Sequence, residues 1–247
     1  MPVYQQIFET HQKGIKQLAV LIDPEQQRKD DFKKIVQMAN DAGAHYIFVG
    51  GSLLAADVIS DCIKVVRQNT ALPVVLFPGS PLQIHPGADA ILLLSLISGR
   101  NPELLIGQHV IAAPYLRQSG LEIISTGYMI VGHENYTTAQ YISNTLPIPS
   151  NKPEIAACTA MAGEMLGLKL IYMDAGSGAP HPVNPEMIRG VKASVSIPLI
   201  VGGGINTPEK ALAAAQAGAD LLVIGNALEK DPALIHEIIK AVKRLDS

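Results

Sequence analysis

Five short segments of this chain place acidic, hydroxyl-bearing or side-chain-free residues directly after apolar runs: Asp23; Gly50-Gly51-Ser52; Asp174-Ala175-Gly176-Ser177-Gly178; Gly202-Gly203-Gly204; and Gly225-Asn226. Glycines in the last two let backbone N–H groups come close to a phosphate, and Thr207-Pro208-Glu209 reads as a capped helix start just beyond the first of them. This is a phosphate clamp; the plainer reading is a pair of tight turns. Asp23 and Ser52 offer hard oxygen atoms, which suits Mg2+ held by one or two protein groups while substrate phosphate oxygens complete the shell. A diphosphate held in that way leaves more readily, because the cation neutralises charge that builds as the C–O bond breaks. A helix cap competes for either residue, and a structural ion pair competes for Asp23.

Asp174 sits beside the second glycine-rich loop, close to where the phosphate substrate belongs. A positioned carboxylate suffices as general base for an alcohol nucleophile when the electrophile is carbocation-like. Tyr172, two residues earlier, points to the same side of a strand. It can hydrogen-bond a substrate or turn an aromatic face to developing positive charge, or it is simply a packed barrel-layer residue. No lysine follows any apolar run, since Lys16 and Lys169 precede theirs, which disfavours Schiff-base chemistry. The histidines show no HExxH or comparable spacing, which disfavours a zinc hydrolase; only His133 and His181 fall in candidate site loops.

The elements that position these residues are eight apolar runs: Leu18–Ile22, Tyr46–Val49, Val74–Phe77, Ala90–Leu96, Ile123–Val131, Leu170–Met173, Leu199–Val201 and Leu221–Ile224. Segments with helical spacing, such as Phe32, Ile35, Val36 and Ala39, separate most of them. Strands apolar on both faces that alternate with helices imply a parallel sheet covered by helices. A weak repeat supports this: Ala42-Gly43-Ala44-His45, Pro86-Gly87-Ala88-Asp89 and Ala217-Gly218-Ala219-Asp220 each put a helix-ending glycine before a strand. An open doubly wound sheet usually carries GxGxxG after its first strand, whereas Asp23-Pro24-Glu25 stands there. The fold expected is therefore a (β/α)8 TIM barrel spanning residues 1–247 as one domain, with active-site residues at the carboxyl ends of the strands. Pro78-Gly79-Ser80-Pro81 and Pro86-Gly87 leave no room for a full helix after the third strand.

Bulk properties exclude several classes. At 48% hydrophobic and 17% charged, the chain has enough apolar material for a sizeable core and too little charge for disorder. A net charge of -3 with scattered basic residues argues against a nucleic-acid partner. Cys62 and Cys158 have neither disulfide-framework nor metal spacing, as expected for a cytoplasmic chain. No secretory signal and no spanning segment is expected, so any lipid substrate is taken up by a chain that touches a membrane surface only transiently.

Taken together, these motifs closely resemble the geranylgeranylglyceryl phosphate synthase family over nearly the whole length. The resemblance rests on Leu21-Ile22-Asp23-Pro24, Val49-Gly50-Gly51-Ser52, Phe77-Pro78-Gly79 and Ser95-Leu96-Ile97-Ser98-Gly99-Arg100-Asn101-Pro102. Its most specific part is Tyr172-Met173-Asp174-Ala175-Gly176-Ser177-Gly178-Ala179, followed by Val201-Gly202-Gly203-Gly204-Ile205 and Ile224-Gly225-Asn226. It implies magnesium positions at Asp23 and Ser52. It implies glycerol phosphate positions at Tyr172, Met173, Asp174, Ala175, Gly176, Ser177, Gly178, Gly203, Gly204, Gly225 and Asn226. It also implies a homo-oligomer. The chain departs from the family pattern at Asp174, where many members carry Glu, at Glu25, where Asp is usual, and at Ile22, where some archaeal members place Lys.

The reaction the resemblance implies is Mg2+-dependent transfer of a prenyl group, geranylgeranyl for preference, from its diphosphate to the C3 hydroxyl of sn-glycerol 1-phosphate. Asp174 takes the proton, with Tyr172 beside it. The prenyl tail needs an apolar trench near the reduced third connection, for which Ile97, Leu104 and Tyr115 are candidate walls. Two other readings stay open on the residues alone: a phosphate-barrel enzyme acting on a phosphosugar, and a phosphate-binding barrel without chemistry.

Overall fold

The computed structural model describes residues 1–25, 29–51, 56–132 and 137–245. In chain order its elements are α1 (Val3–Gln12), β1 (Gln17–Ile22), α2 (Lys29–Ala42), β2 (Tyr46–Val49), α3 (Ala56–Asn69), β3 (Val74–Leu76), β4 (Ala90–Leu96) and α4 (Gln108–Ser119). There follow β5 (Glu122–Gly132), α5 (Thr138–Ser143), β6 (Ile148–Pro149), α6 (Pro153–Met165), β7 (Leu170–Asp174), α7 (Pro185–Lys192), β8 (Leu199–Gly202), α8 (Pro208–Gln216), β9 (Leu221–Ile224), α9 (Asn226–Lys230) and α10 (Leu234–Lys243).

All strand pairings are parallel. β1 lies between β2 and β9, and β4 pairs with β5 from Ala90↔Glu122 to Leu96↔Tyr128, which closes the ring. The two-residue β6 only extends the end of β5 beside Val131 and Gly132, so each of the eight apolar runs is a barrel strand. Closure pairs each of the eight barrel strands on both sides.

Period-two alternation divides the core in two. Leu18, Val20 and Ile22 of β1 face the helices, as do Ile171 and Met173 of β7. Ala19, Tyr46, Phe48, Leu92, Tyr128, Tyr172 and Ile200 fill the inside of the barrel. α1 plugs the barrel bottom, with Val3 and Ile7 in the interior cluster. Pro2, its N-cap, has no capping side chain, and the Glu122 carboxylate replaces one by accepting the Val3 and Tyr4 N–H groups. An anion there also opposes the helix dipole.

Between β3 and β4 the chain forms only a 3-10 turn, Pro81–Gln83, as the prolines require. The flank left open by the missing helix is spanned by α4. That helix is preceded by a π-helical turn, Glu103–Gly107, and contains Pro114. Among the described residues no helix is long and apolar enough to cross a membrane. Cys62 is buried, Cys158 is exposed, and both are free thiols.

Candidate active site

A cavity of about 350 Å3 opens at the carboxyl ends of the strands. Asp23, Gly50, Gly51, Tyr172, Asp174, Gly176, Ser177, Gly178, Gly203, Gly204, Gly225 and Asn226 all border it. The ends of β1, β2, β7, β8 and β9 thus converge on one space.

Asp174 ends β7 on the inward side and is 7% exposed. Its Oδ1 accepts the Gly176 N–H at 2.7 Å, and its Oδ2 accepts the Tyr128 hydroxyl at 2.5 Å. Burial pushes the Asp174 carboxyl above its ordinary range, and these two hydrogen bonds pull it part of the way back. Burial and the neighbouring carboxylate hold the Tyr128 hydroxyl protonated far beyond neutral pH, so Tyr128 is a donor here.

Tyr128 and Tyr172 are register partners on β5 and β7, and their rings meet edge-on at 5.5 Å. Tyr172 also stacks on Phe77, with ring centres 5.0 Å apart and planes 17° from parallel. The three rings border the floor of the cavity, and an aromatic face favours positive charge. Tyr172 fits only because Gly202 lacks a side chain: a Cβ there would stand 2.5 Å from the Tyr172 hydroxyl.

The clamp depends on backbone conformations that glycine supplies. Gly203 and Gly204 have φ of +78° and +68°, which L side chains rarely adopt. A Cβ on Gly203 would also stand 2.6 Å from both Asp174 Oδ1 and the Gly176 nitrogen. The Ser177 hydroxyl donates to Asn226 Oδ1 at 2.9 Å, which joins the loop after β7 to the start of α9. Thr207 caps α8, its hydroxyl accepting the Lys210 N–H, with Pro208 at the first helical position as the sequence requires.

Asp23 lies across the cavity, half-buried. Its Oδ1 accepts the Glu25 N–H at 3.1 Å. The side-chain-free Gly51 faces it: a Cβ there would come 2.9 Å from Oδ1 and 3.0 Å from Oδ2. Gly51 thus lets the chain after β2 approach the Asp23 carboxylate more closely than any side chain would allow. Ser52 and His133 lie outside the described residues.

The side chains of Met173 and Ala175 turn outward into the layer between barrel and helices, away from the cavity, as alternation from Tyr172 and Asp174 requires. The apolar part of the cavity runs along β4 toward α4, bordered by Ile84, Leu92, Leu94, Leu104, Ala112 and Leu116. Leu104 is thus a wall. Ile97 is not: its side chain packs against Gly127 and Gly163, between β5 and α6. Nor is Tyr115, which points outward from α4 and is 65% exposed.

Sequence reasoning passed over Tyr128, which sits mid-run and reads as a core residue. It also passed over His109, whose Nε2 meets the Ser95 hydroxyl at 3.1 Å on the cavity wall, and Thr137, the N-cap of α5, which packs against Gly176.

The PcrB family model matches residues 11–244. The geranylgeranylglyceryl phosphate synthase of Chitinophaga pinensis is 52% identical over 240 residues, covering 97% of this chain and 95% of that protein. That of Thermococcus gammatolerans is 42% identical over 92% of this chain and 88% of its own length. Among solved structures, the (S)-3-O-geranylgeranylglyceryl phosphate synthase of Thermoplasma acidophilum, in complex with its substrate sn-glycerol-1-phosphate, superposes with a TM-score of 0.93 at 34% identity, covering 99% of both chains. A match over nearly the full length, on a barrel whose strand ends carry a glycine clamp and a buried acid in one cavity, places the chain in the PcrB family, the family of the geranylgeranylglyceryl phosphate synthases.

Proposed function

We propose that this protein is a prenyltransferase that joins the C3 hydroxyl of sn-glycerol 1-phosphate to C1 of a prenyl diphosphate, geranylgeranyl diphosphate being the donor and Mg2+ the cofactor. The observation that carries this reading is that Asp174 stands where the glycine clamp and the apolar trench meet in one cavity. A phosphate held by Gly203, Gly204, Gly225 and Asn226 brings its glyceryl hydroxyl toward Asp174, and a prenyl chain laid along Leu92, Leu94 and Leu104 brings its first carbon to the aromatic floor. Holding both reactants in one geometry removes much of the entropic barrier.

As the allylic C–O bond to diphosphate breaks, positive charge at C1 faces the rings of Tyr172 and Phe77. The glyceryl oxygen forms the new C–O bond and its proton passes to Asp174, whose raised pKa makes it a stronger base than a solvated carboxylate. Tyr128 donates to the other carboxylate oxygen and so orients the base.

Asp23 is the residue that would hold Mg2+, with Ser52 as the second oxygen donor. The Asp23 carboxylate borders the cavity beside Gly51, and a hard oxygen donor in that position suits a divalent cation whose shell is completed by substrate phosphate oxygens. When bound, the cation supplies charge neutralisation to the departing diphosphate.

The test is incubation of the purified protein and Mg2+ with sn-glycerol 1-phosphate and prenyl diphosphates of several lengths, with products identified by mass spectrometry. An ether-linked prenylglyceryl phosphate is expected, formed fastest from geranylgeranyl diphosphate. Diphosphate release without an ether product, or no release at all, rejects the reading.

A further inference from the structure

Asp23, Asp174 and Glu229 border the active-site cavity, and among the described residues that line it none is Lys or Arg. A site of that charge has to receive an anionic substrate. Backbone N–H groups and helix N-termini supply part of the attraction, and a cation behind the lining adds to it. Lys210, in the first turn of α8, stands in that position. Its Nζ donates to Asn206 Oδ1 at 2.8 Å and to the Pro180 carbonyl at 3.2 Å. Asn206 borders the cavity, in the loop that carries Gly203 and Gly204, while Pro180 belongs to the loop that carries Gly176, Ser177 and Gly178.

Charge and geometry separate this lysine from an ordinary surface tie. Both its partners are neutral oxygens, and among the described residues it is paired with no carboxylate, so its charge is not cancelled locally. It sits at a helix N-terminus, where the backbone already presents partial positive charge and a cation is disfavoured unless an anion joins it. The acid of that turn, Glu209, is held by its own N–H and by the Thr207 hydroxyl. The two loops that Lys210 joins also press on each other: a Cβ on Gly204 would stand 2.5 Å from the His181 carbonyl oxygen. An ammonium has three donors and no acceptor, so the Asn206 amide atom that it meets is the oxygen. That fixes the orientation of the carboxamide and leaves the two donors of Nδ2 for the cavity.

We infer that Asn206 is a further phosphate ligand, and that Lys210 orients it, holds the two glycine loops in register and supplies the cation that the lining lacks. The ligand is a phosphate monoester, the head group of glycerol 1-phosphate; the choice of that ester rests on the prenyl-transfer reading. Asn206 donates from Nδ2 to a phosphate oxygen, beside the backbone N–H groups of Gly203 and Gly204. Lys210 acts one bond further out, through the amide and through space, and is therefore a positioning residue. A wall that attracts negative charge selects the phosphate end of the substrate over its hydroxyl end, which directs the C3 hydroxyl toward Asp174.

Calorimetric titration of the full chain with sn-glycerol 1-phosphate, without a prenyl donor, tests this. Lys210→Met should raise Kd about tenfold, Lys210→Arg should stay within about threefold of wild type, and Asn206→Ala should raise Kd about fivefold. Because Lys210 acts partly through Asn206, the double variant should lose less than the product of the two single losses. Raising NaCl from about 0.05 to about 0.5 M should weaken wild-type binding more than that of Lys210→Met. Inorganic phosphate, as a second probe, should rank the variants in the same order. A Lys210→Met variant that binds like the wild type overturns the inference, whether or not its urea midpoint falls. So do single losses that multiply, an unchanged Kd in Asn206→Ala, a Lys210→Arg variant as weak as Lys210→Met, and equal salt dependence in wild type and Lys210→Met. Every readout is binding. If the order of affinities holds and no ether forms, the transferase reading fails alone; if ether forms and Lys210→Met binds normally, this inference fails alone.

Discussion

The Tyr128 hydroxyl donates to Asp174 Oδ2 across 2.5 Å between β5 and β7, inside the barrel and beneath the glycine clamp. The bond does two things at once. It fixes the orientation of a carboxylate whose side chain is short, and it opposes the effect of burial on that carboxylate's pKa. A buried acid left without such donors would stay protonated and could not accept a proton.

Replacing Tyr128 by Phe keeps the ring and removes the donor. Loss of a hydrogen bond to the ionised form raises the Asp174 pKa further, so the base is protonated at higher pH. The acidic limb of the kcat/KM profile should therefore move upward, with turnover at neutral pH falling roughly tenfold or more. Asp174→Asn should lower kcat by about 10²–10⁴-fold and leave glycerol 1-phosphate binding within a few-fold of wild type. A Tyr128→Phe profile with an unmoved acidic limb shows that the hydrogen bond does not tune the base.

Asp23 faces the same cavity from β1, and its two oxygens lie against Gly51. Asp23→Asn keeps the shape and removes the charge. It should raise the Mg2+ concentration needed for half-maximal activity by about tenfold or more, since a hard cation prefers a carboxylate to a carboxamide. Glycerol 1-phosphate affinity, read by calorimetric titration, should change little. An equal loss in both measurements removes the metal role from Asp23.

How far the sequence reaches follows from which interactions are local. The eight barrel strands are visible because each is a mainly apolar run, and the reduced connection before β4 is visible because proline forbids helix there. Alternation along Leu170–Asp174 already separates Tyr172 and Asp174 from Met173 on opposite faces. Tyr128 is different. Its partner lies 46 positions away, and only the register of β5 on β7 brings them together. Likewise, the placement of α1 under the barrel and the role of α4 as trench wall depend on closure, which no window of sequence encodes. Tyr115 went astray because helical spacing does not say which face turns inward when both are apolar.

Gly203 carries two independent demands, a positive φ and the absence of a Cβ beside Asp174. Gly203→Ala meets neither. The left-handed conformation alone should cost about 1–2 kcal/mol of stability, measured by urea unfolding. The added methyl group would also displace Asp174 or the Gly176 amide, so glycerol 1-phosphate affinity should fall by about tenfold or more. Gly178 shares the positive φ, at +71°, but faces no atom within 4 Å, so Gly178→Ala should show the stability cost with a smaller loss of affinity. Equal affinity losses in the two variants would show that the Cβ clash is irrelevant.

At the opposite end of the barrel, Asp220 joins three elements. Its Oδ2 accepts from Lys192 Nζ at 2.7 Å and from the Leu199 N–H at 2.8 Å, while Oδ1 pairs with His11 Nδ1 at 3.1 Å. Burial alone would raise its pKa, yet the hydrogen bonds from His11, Lys192 and Leu199 outweigh burial and hold it below the ordinary range. A carboxyl depressed in the folded state stabilises the fold above its unfolded pKa, and the benefit drains away as pH falls through the folded value. Wild-type stability should therefore drop on acidification below about pH 4. Asp220→Asn should be less stable at neutral pH by about 2–3 kcal/mol, because Lys192 and His11 lose their anion. Its stability should also vary less between pH 5 and pH 3 than that of the wild type. Urea midpoints across that range check both statements; parallel curves for the two proteins would mean that acid sensitivity arises elsewhere.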